Sequence, residues 1–309
     1  MKQKLWNMIK KLKRYYPLYL MMLPGTLYII INNYIPMAGL RIAFKQFNYS
    51  KGISGSKFVG LKNFEFLFKT KDAFVITRNT LGYNLIFICL GTVLAITVAI
   101  LLNDIRSIKL KKLYQTVILI PFLISIVVVS YLVYAFLSAD SGFINNSILR
   151  PLGLEPVSWY STPTFWPVIL IIVHLWKGFG YTSIIYFATL VGIDRGYFEA
   201  AAIDGASRWQ QITNVTLPSL KPTIITLTLM SIGRIFYSDF GLFYQVPMNS
   251  GLLIDVTNTI DTYVYRGLIS LNNVSMASAA GFYQSIVGFI LVLTANFIVK
   301  KVSEENSLF

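Results

Sequence analysis

EAAAIDGASRWQQITNVTLPSLKP, residues 199–222, is a polar stretch rich in helix-capping residues between two of the most hydrophobic segments of the chain. It predicts a short helix that begins near Gly196. Glu199 would lie in the first turn of this helix, where a carboxylate favours the positive end of the helix dipole. Asp204 and Gly205 would end the helix, because glycine adopts the backbone conformation that a sharp reversal requires.

The second half of the stretch predicts another short helix. Ser207 and Gln210 fit the capping box S-x-x-Q, and Pro218 and Pro222 would bracket the return into the next apolar segment. The residues alone leave two roles open for this helix-turn-helix insert. It is a plain connector, or it is a docking element, which its Tyr, Phe, Trp and Arg content favours.

The composition places the chain in the membrane class. Of its 309 residues, 55% are hydrophobic and only 13% are charged, well below the share in soluble domains. Six apolar runs have about the length that a helix needs to cross the hydrocarbon core. We therefore predict an all-α membrane protein with six transmembrane helices. They are expected at Leu18–Pro36, Leu81–Asn103, Leu113–Leu137, Phe165–Leu190, Pro222–Phe240 and Ala279–Val299.

The charge pattern predicts a cytoplasmic N-terminus. Six basic residues precede the first apolar run and four lie in NDIRSIKLKKLY, as expected for short cytoplasmic segments. The net charge of +14 is attributed mainly to residues that flank the spans, and no nucleic-acid partner is expected. Eight basic residues in the outer loop between Arg41 and Arg78 run against this pattern, and two interpretations of them stay open: contact with an acidic partner or substrate, or simple solvation. The first run is too long for a signal-peptide core and no cleavage site follows it, which favours an uncleaved first span. The single histidine, His174, excludes a multi-histidine metal site, and no metal ligands are predicted.

Polar side chains inside the predicted spans are candidates for a substrate pathway, because intramembrane charge is costly and usually functional. His174, Lys177 and Tyr181 share one face of the fourth span by their i, i+3, i+7 spacing. The alternatives are that Lys177 or Asp239 reaches a span end and that Arg234 is a structural tie. Aromatic faces and amides also suit sugar rings. The predicted pathway residues are Trp176, Lys177, Tyr181, Arg234, Tyr237, Asp239, Tyr283 and Gln284.

The insert resembles the EAA signature of ABC-importer permeases. That family has the pattern E-A-A-x3-G-x9-I-x-L-P, and the chain matches it throughout except for Val215 in place of isoleucine. The stretches FVGLKNFEFLF, DTYVYRGL and GFYQSIVGFILVLTANFIVKK are similar to permeases of the binding-protein-dependent class that imports complex oligosaccharides. One departure is GIDRGYFEAA, since many relatives have proline before this run. The coupling residues carried over by the resemblance are Glu199, Ala200, Ala201, Asp204, Gly205, Leu217 and Pro218.

The resemblance implies a type I ABC importer permease fold with a cytoplasmic coupling helix, in a bacterial cell membrane. Residues 1–17 would be a cytoplasmic segment, 18–301 the six-span domain with its coupling loop at 191–221, and 302–309 a C-terminal tail. The chain would hold no cofactor and would not be an enzyme, because a separate ATPase dimer would bind ATP and Mg²⁺. A second homologous permease and an extracellular substrate-binding lipoprotein would complete the importer, and the substrate would be an oligosaccharide.

Three alternatives remain beside this interpretation. A permease for a non-sugar solute would share all of these features. A self-sufficient secondary transporter would need paired broken helices in inverted halves, and the sequence shows no such symmetry. A membrane enzyme would need a metal cluster or a nucleophile–base pair, which one histidine and scattered carboxylates do not supply.

Overall fold

The computed structural model describes residues 2–65 and 69–302, so the predicted tail lies outside the described residues from 303 onward. The described chain is an α-helical bundle. Its longer helices and those of the insert are α1 (Lys2–Ile29), α2 (Lys71–Asp104), α3 (Ile108–Leu123), α4 (Ile126–Leu137), α5 (Trp166–Val191), α6 (Arg195–Ile203), α7 (Arg208–Gln211), α8 (Leu217–Ile232), α9 (Phe240–Gln245), α10 (Ile254–Thr257), α11 (Ile260–Ile269) and α12 (Val274–Val302). One-turn helices at Ile35–Met37 and Gly52–Gly55 and short 3₁₀ and π segments connect them.

The number of candidate spans agrees with the prediction. Among the described residues, five helices are long and apolar enough to cross a membrane, and a bent pair of helices would be the sixth. Because successive spans run in opposite directions, the insert, residues 191–221, lies at one end of the bundle. The segments 38–65, 138–165 and 240–273 lie at the other end, which we call the cover end. Chain direction reverses at each connection, so the described chain both begins, at Lys2, and ends, at Val302, at the insert end.

The first span is one extended helical segment. Helix α1 continues through a π turn at Ile30–Tyr34 and ends in a 3₁₀ segment at Ala38–Phe44. The predicted N-terminal segment 1–17 is therefore largely part of the same helix as the span that follows. The most apolar window of the span has none of its residues buried by the rest of the chain. This leaves its surface to lipid or to another subunit.

The loop after the first span forms a small folded cover. Two short antiparallel strands, β1 (Lys45–Gln46) and β2 (Lys57–Phe58), pair in it. Phe44 and Phe64 pack with Phe282 of α12, with ring centroids 5.1 and 5.9 Å from that ring. This aromatic cluster fixes the cover onto the bundle.

Helices α2 and α5 form the centre of the bundle. Ala95 and Ala99 of α2 are fully buried beside Tyr186 and Leu190 of α5, because small side chains let the two helices approach closely. Gly281 of α12 faces open space instead, since an added β-carbon would meet no described atom within 4 Å.

The prediction of the third span as one continuous helix is wrong. Helix α3 ends at Leu123, and α4 starts at Ile126 with its axis bent by 93°. Ile124 is extended at ψ 131°, and the Ser125 side chain caps α4 by accepting a hydrogen bond from the Val128 amide. Pro121 lacks an amide proton, which weakens the last turn of α3. The hydropathy of this region conceals the break because both halves are apolar.

The fifth predicted span is shifted towards the insert. Helix α7 passes through a π turn at Ile212–Thr216 directly into α8, so residues 208–232 form one helical segment. The helix ends at Ile232, eight residues before the predicted end at Phe240. Residues 233–239 form turns and irregular backbone. Arg234, Tyr237 and Asp239 therefore lie after the span. The prediction from the sequence, which placed them inside the helix, is wrong on this point.

Candidate functional site

The insert has the turn that its sequence predicts. Asp194 caps α6 by accepting a hydrogen bond from the Gly196 amide at 2.9 Å. At the other end of α6, Gly205 has φ +77°, and its amide donates to the Ala202 carbonyl at 3.1 Å. The next amide, of Ala206, donates back across the turn. Glycine reaches this left-handed conformation without steric cost, which explains the reversal at this position.

The second helix of the insert is the beginning of the fifth span rather than a separate helix. The predicted capping box is present, with the Ser207 amide donating to Oε1 of Gln210 at 2.7 Å. Pro218 follows the π turn directly, and both Pro218 and Pro222 lie inside the continuous helical segment 208–232. A movement of the insert would therefore be transmitted directly to the helix that leads into the membrane.

The surface of the insert presents apolar side chains to the outside. No residue of α6 is buried, and Ile203 and Trp209 are 86% and 71% exposed. Glu199, Ala200, Asp204, Gly205 and Pro218 are also exposed, whereas Ala201 and Leu217 are half-buried. Exposed apolar groups beside polar ones are typical of protein–protein contact surfaces. This favours the docking interpretation over the plain connector.

A cavity of about 810 Å³ lies between the middle of α2, the middle of α5 and the end of α8. This size is typical of ligand sites. Three of the predicted pathway residues line it, all from the irregular backbone after α8: Arg234, Tyr237 and Asp239. Helix α2 contributes Asn84 and Phe87, whose ring stacks on the His174 ring of α5 at 3.7 Å between centroids.

The irregular segment 233–239 is held by side chains from neighbouring helices. Nδ2 of Asn84 donates to the carbonyl oxygens of Ile235 and Tyr237 at 2.9 and 2.8 Å. Nε2 of Gln284 donates to the carbonyl oxygen of Phe236 at 2.9 Å. Backbone groups freed from a helix inside a membrane protein need such partners. The two amides therefore replace the helical hydrogen bonds that end at Ile232.

A carboxylate fixes the far end of this segment. Oδ2 of Asp261 on α11 accepts hydrogen bonds from the amide and the hydroxyl of Ser238 at 2.6 and 2.7 Å, and it also accepts from Gln284. The next residue, Asp239, caps α9 by accepting from the Leu242 amide at 3.1 Å. Arg234 and Asp239 are consequently presented to the cavity from a well-supported backbone.

The structure does not bring the remaining predicted pathway residues to this cavity. Nζ of Lys177 donates to the carbonyl oxygens of Phe122 and Ile124, at 3.0 and 2.7 Å, and lies 3.5 Å from that of Pro121. Tyr181 stacks on the ring of Phe122 at 4.7 Å. The face that carries these two side chains thus packs on the end of α3 and does not line this cavity.

Three further residues of the predicted set also lie elsewhere. Trp176 is 40% exposed and does not line the cavity. The Tyr283 hydroxyl is 3.3 Å from that of Thr77, and Gln284 is buried with its amide committed to Phe236 and Asp261. Gln284 therefore supports the cavity wall instead of facing its interior.

Sequence reasoning missed Asn84 and Ser238. Asn84 is an uncharged amide near the start of the predicted second span, a signal that was available but weaker than that of a charge. Ser238 gains its role only because the helix ends at Ile232, which the hydropathy of the region does not reveal.

Lys177 is expected to stabilise the break between α3 and α4. A Lys177→Met substitution would leave carbonyl oxygens at a helix C-terminus without their cation, at a cost of roughly 1–3 kcal/mol. We expect a lower melting temperature of the purified protein, with Lys177→Arg recovering part of the loss. An unchanged melting temperature together with lost substrate binding would instead make Lys177 a direct ligand contact.

Comparison with known proteins identifies the family. Residues 91–304 match the family model described as "Binding-protein-dependent transport system inner membrane component". The chain belongs to this family of transport permeases. The permease is 35% identical to the polygalacturonan/rhamnogalacturonan transport system permease protein YteP of Bacillus subtilis, over 99% of this chain and 94% of the relative. The chain is therefore a membrane protein of a transport family and not a member of an enzyme family.

Solved structures agree with the fold of the permease. A chain from a bacterial ABC transporter involved in the import of the acidic polysaccharide alginate superposes with a TM-score of 0.87 at 33% identity, over 97% of this chain and 99% of that one. A chain of a bacterial alginate ABC transporter in complex with an alginate pentasaccharide-bound periplasmic protein gives 0.86 at 33% identity, over 95% and 97%. The predicted ABC importer permease fold is confirmed.

Proposed function

We propose that the permease imports an oligosaccharide, and that the cavity beside the end of α8 is part of its pathway. The observation that carries this proposal is the cavity at a supported helix break, lined by Arg234, Tyr237 and Asp239. Interrupted helices at the middle of a bundle place backbone and polar groups where a solute can be bound. The similarity to permeases of polygalacturonan/rhamnogalacturonan and alginate transport systems supports a sugar substrate.

The pathway would be completed by a second permease, and a substrate-binding protein would deliver the sugar to the cover end. The complex with a periplasmic binding protein described for a neighbouring structure supports this arrangement. Energy would come from a separate ATPase dimer, which binds ATP and Mg²⁺ and docks on the insert. The exposed apolar groups of the insert and its continuity with α8 support this role.

This assignment fixes the orientation. The insert and both chain termini would face the cytoplasm of a bacterial cell, and the cover end would face the outside. The basic residues that precede the first span and follow the second lie at the insert end, as the positive-inside rule requires. Addition of a protease cleavage site after Met1 tests this orientation, since only inside-out vesicles should be cut there.

Uptake by the purified complex tests the function. The permease is extracted with its native partners, placed in liposomes and supplied with binding protein and labelled oligosaccharides. We expect accumulation of sugar only when ATP is present on the insert side. Accumulation that is driven by an ion gradient and is independent of ATP would contradict the proposal and indicate a secondary transporter.

Glu199 is expected to contribute to ATPase docking. The Glu199→Gln substitution removes its charge from the exposed face of α6, and we expect recovery of the ATPase with the tagged permease to fall by about tenfold, equal to about 1.4 kcal/mol. Glu155→Gln, which changes an exposed carboxylate in the cover-end segment 138–165, is the matched control and should leave recovery unchanged. Equal recovery with both variants would count against Glu199 as a docking residue.

A further inference from the structure

We propose that the permease selects an acidic oligosaccharide, and that Arg234 binds a carboxylate of a uronate ring in the cavity. This inference rests on the proposed function, because it names the class of sugar that the same cavity takes. It goes further in assigning the charge of the substrate to one side chain. Its structural basis is that some charged side chains around the cavity have partners within the described chain and Arg234 has none.

Arg234 has no partner for its guanidinium among the residues that the structure describes. The ion pairs there join Lys69 with Glu65 and Arg208 with Asp104, and no side-chain hydrogen bond of Arg234 is formed. Its side chain is exposed at the wall of the cavity, in the irregular segment that follows α8. The guanidinium is also a planar fork of donors that matches a carboxylate in a bidentate geometry. Its uncommitted donors therefore fit an anionic ligand.

The other charged or titratable side chains near the cavity each have at least one contact within the chain. Asp239 uses Oδ1 to cap α9 through the Leu242 amide at 3.1 Å. The His174 ring is stacked on Phe87. Lys177 lies on the adjacent face of α5 and donates to carbonyl oxygens of the broken third span. Arg234 is thus the cavity-lining cation left for a ligand within the described part of the chain.

The rest of the cavity wall suits the neutral parts of a sugar acid. Thr92, Thr182 and Ser231 contribute hydroxyl groups, and the Tyr237 ring is 45% exposed beside Arg234 in the irregular segment. Aromatic rings and hydroxyls can contact a pyranose ring whether or not it carries a charge. Only Arg234 would distinguish a carboxylate from the hydroxymethyl group of the corresponding neutral sugar.

Equilibrium binding to the permease complex, purified with its ATPase and second permease but without binding protein, tests this role. The probes are trigalacturonate and galactotriose of the same linkage, and trimannuronate and mannotriose as a second pair. Each pair differs in carboxylate against hydroxymethyl. We expect the wild-type complex to bind the acid of at least one pair about tenfold or more tighter than its neutral partner, with the preference decreasing as salt increases.

Substitutions then assign the preference to Arg234. Arg234→Met should remove it by weakening binding of the acid about tenfold while changing the neutral sugar less than twofold. Arg234→Lys keeps the charge without the fork and should retain part of the preference. Arg150→Met, which removes an exposed guanidinium from the cover-end segment 138–165, is the control and should retain all of it.

Several results would overturn the inference. They are equal binding of acid and neutral sugar by wild type, a preference that survives Arg234→Met, and binding of neither acid by a complex that transports a sugar. The proposed function fails separately, when the full complex in liposomes accumulates no oligosaccharide of either kind with ATP. Uptake of a neutral trisaccharide without uptake of the acids would keep the importer and reject the acidic substrate.

Discussion

A Gly180→Ala substitution is expected to prevent normal folding of the permease. Gly180 lies on α5 where that helix meets α3, and an added β-carbon would overlap the backbone carbonyl oxygen of Ile118. A rotamer change cannot relieve a clash with backbone, so the two helices would have to separate. Overpacking of this kind costs about 3 kcal/mol or more at its upper end. We expect little correctly inserted, monodisperse protein in the membrane fraction.

The control for this prediction is Gly82→Ala on α2, where an added β-carbon meets no described atom within 4 Å. This variant should accumulate and melt as the wild type does, because alanine is a better helix former than glycine. The measurement is size-exclusion profile and melting temperature of detergent-extracted protein. Normal behaviour of Gly180→Ala would show that α3 and α5 do not approach each other closely at this point.

A Gly205→Val substitution is expected to separate ATP hydrolysis from sugar uptake while the protein stays in the membrane. The residue has φ +77°, and a β-branched side chain in this conformation is strained by about 1–3 kcal/mol. The strain falls on an exposed turn outside the bundle, so folding should survive. The turn between α6 and α7 would deform, and with it the surface that the ATPase contacts. We expect uptake to fall more than tenfold, with ATP hydrolysis retained.

Gly153→Val is the matched control for the backbone strain. Gly153 has φ +73° and lies in the segment 138–165 at the cover end, far along the chain from the insert. Its substitution should leave ATP hydrolysis coupled to whatever uptake remains. Wild-type uptake by Gly205→Val, or equal uncoupling by both variants, would contradict the coupling role of the insert.

Most of the architecture follows from the sequence, because hydropathy and helix capping act locally. The lengths of the apolar runs predict the spans, and the insert turn is determined by Gly205 and by the capping box of Ser207 and Gln210. These features depend on a few adjacent residues. They are therefore visible without knowledge of the tertiary contacts.

The helix breaks could not be predicted in the same way. The break at Ile124 and Ser125 is surrounded by apolar residues on both sides, and a hydropathy window averages over it. The end of α8 at Ile232 is stabilised by Asn84 and Gln284, which are distant in the chain. Partners of this kind emerge only when the helices have packed.

The candidate site could be predicted only in part, for the same reason. The sequence identified Arg234, Tyr237 and Asp239 as polar groups in an apolar setting, and the structure brings them to one cavity. It could not distinguish them from Lys177, because a charge that binds a substrate and a charge that caps a helix end have the same cost in a membrane. The carbonyl oxygens of α3 decide between these roles, and their position depends on the break.

Gentle purification of the tagged permease from its native membrane, followed by mass spectrometry of the proteins that accompany it, tests the central claim most directly. We expect an ATPase, a second permease and a substrate-binding lipoprotein, with the ATPase reduced in the Glu199→Gln variant and retained in Glu155→Gln. Recovery of the permease alone, still able to transport sugar without ATP, would contradict the account.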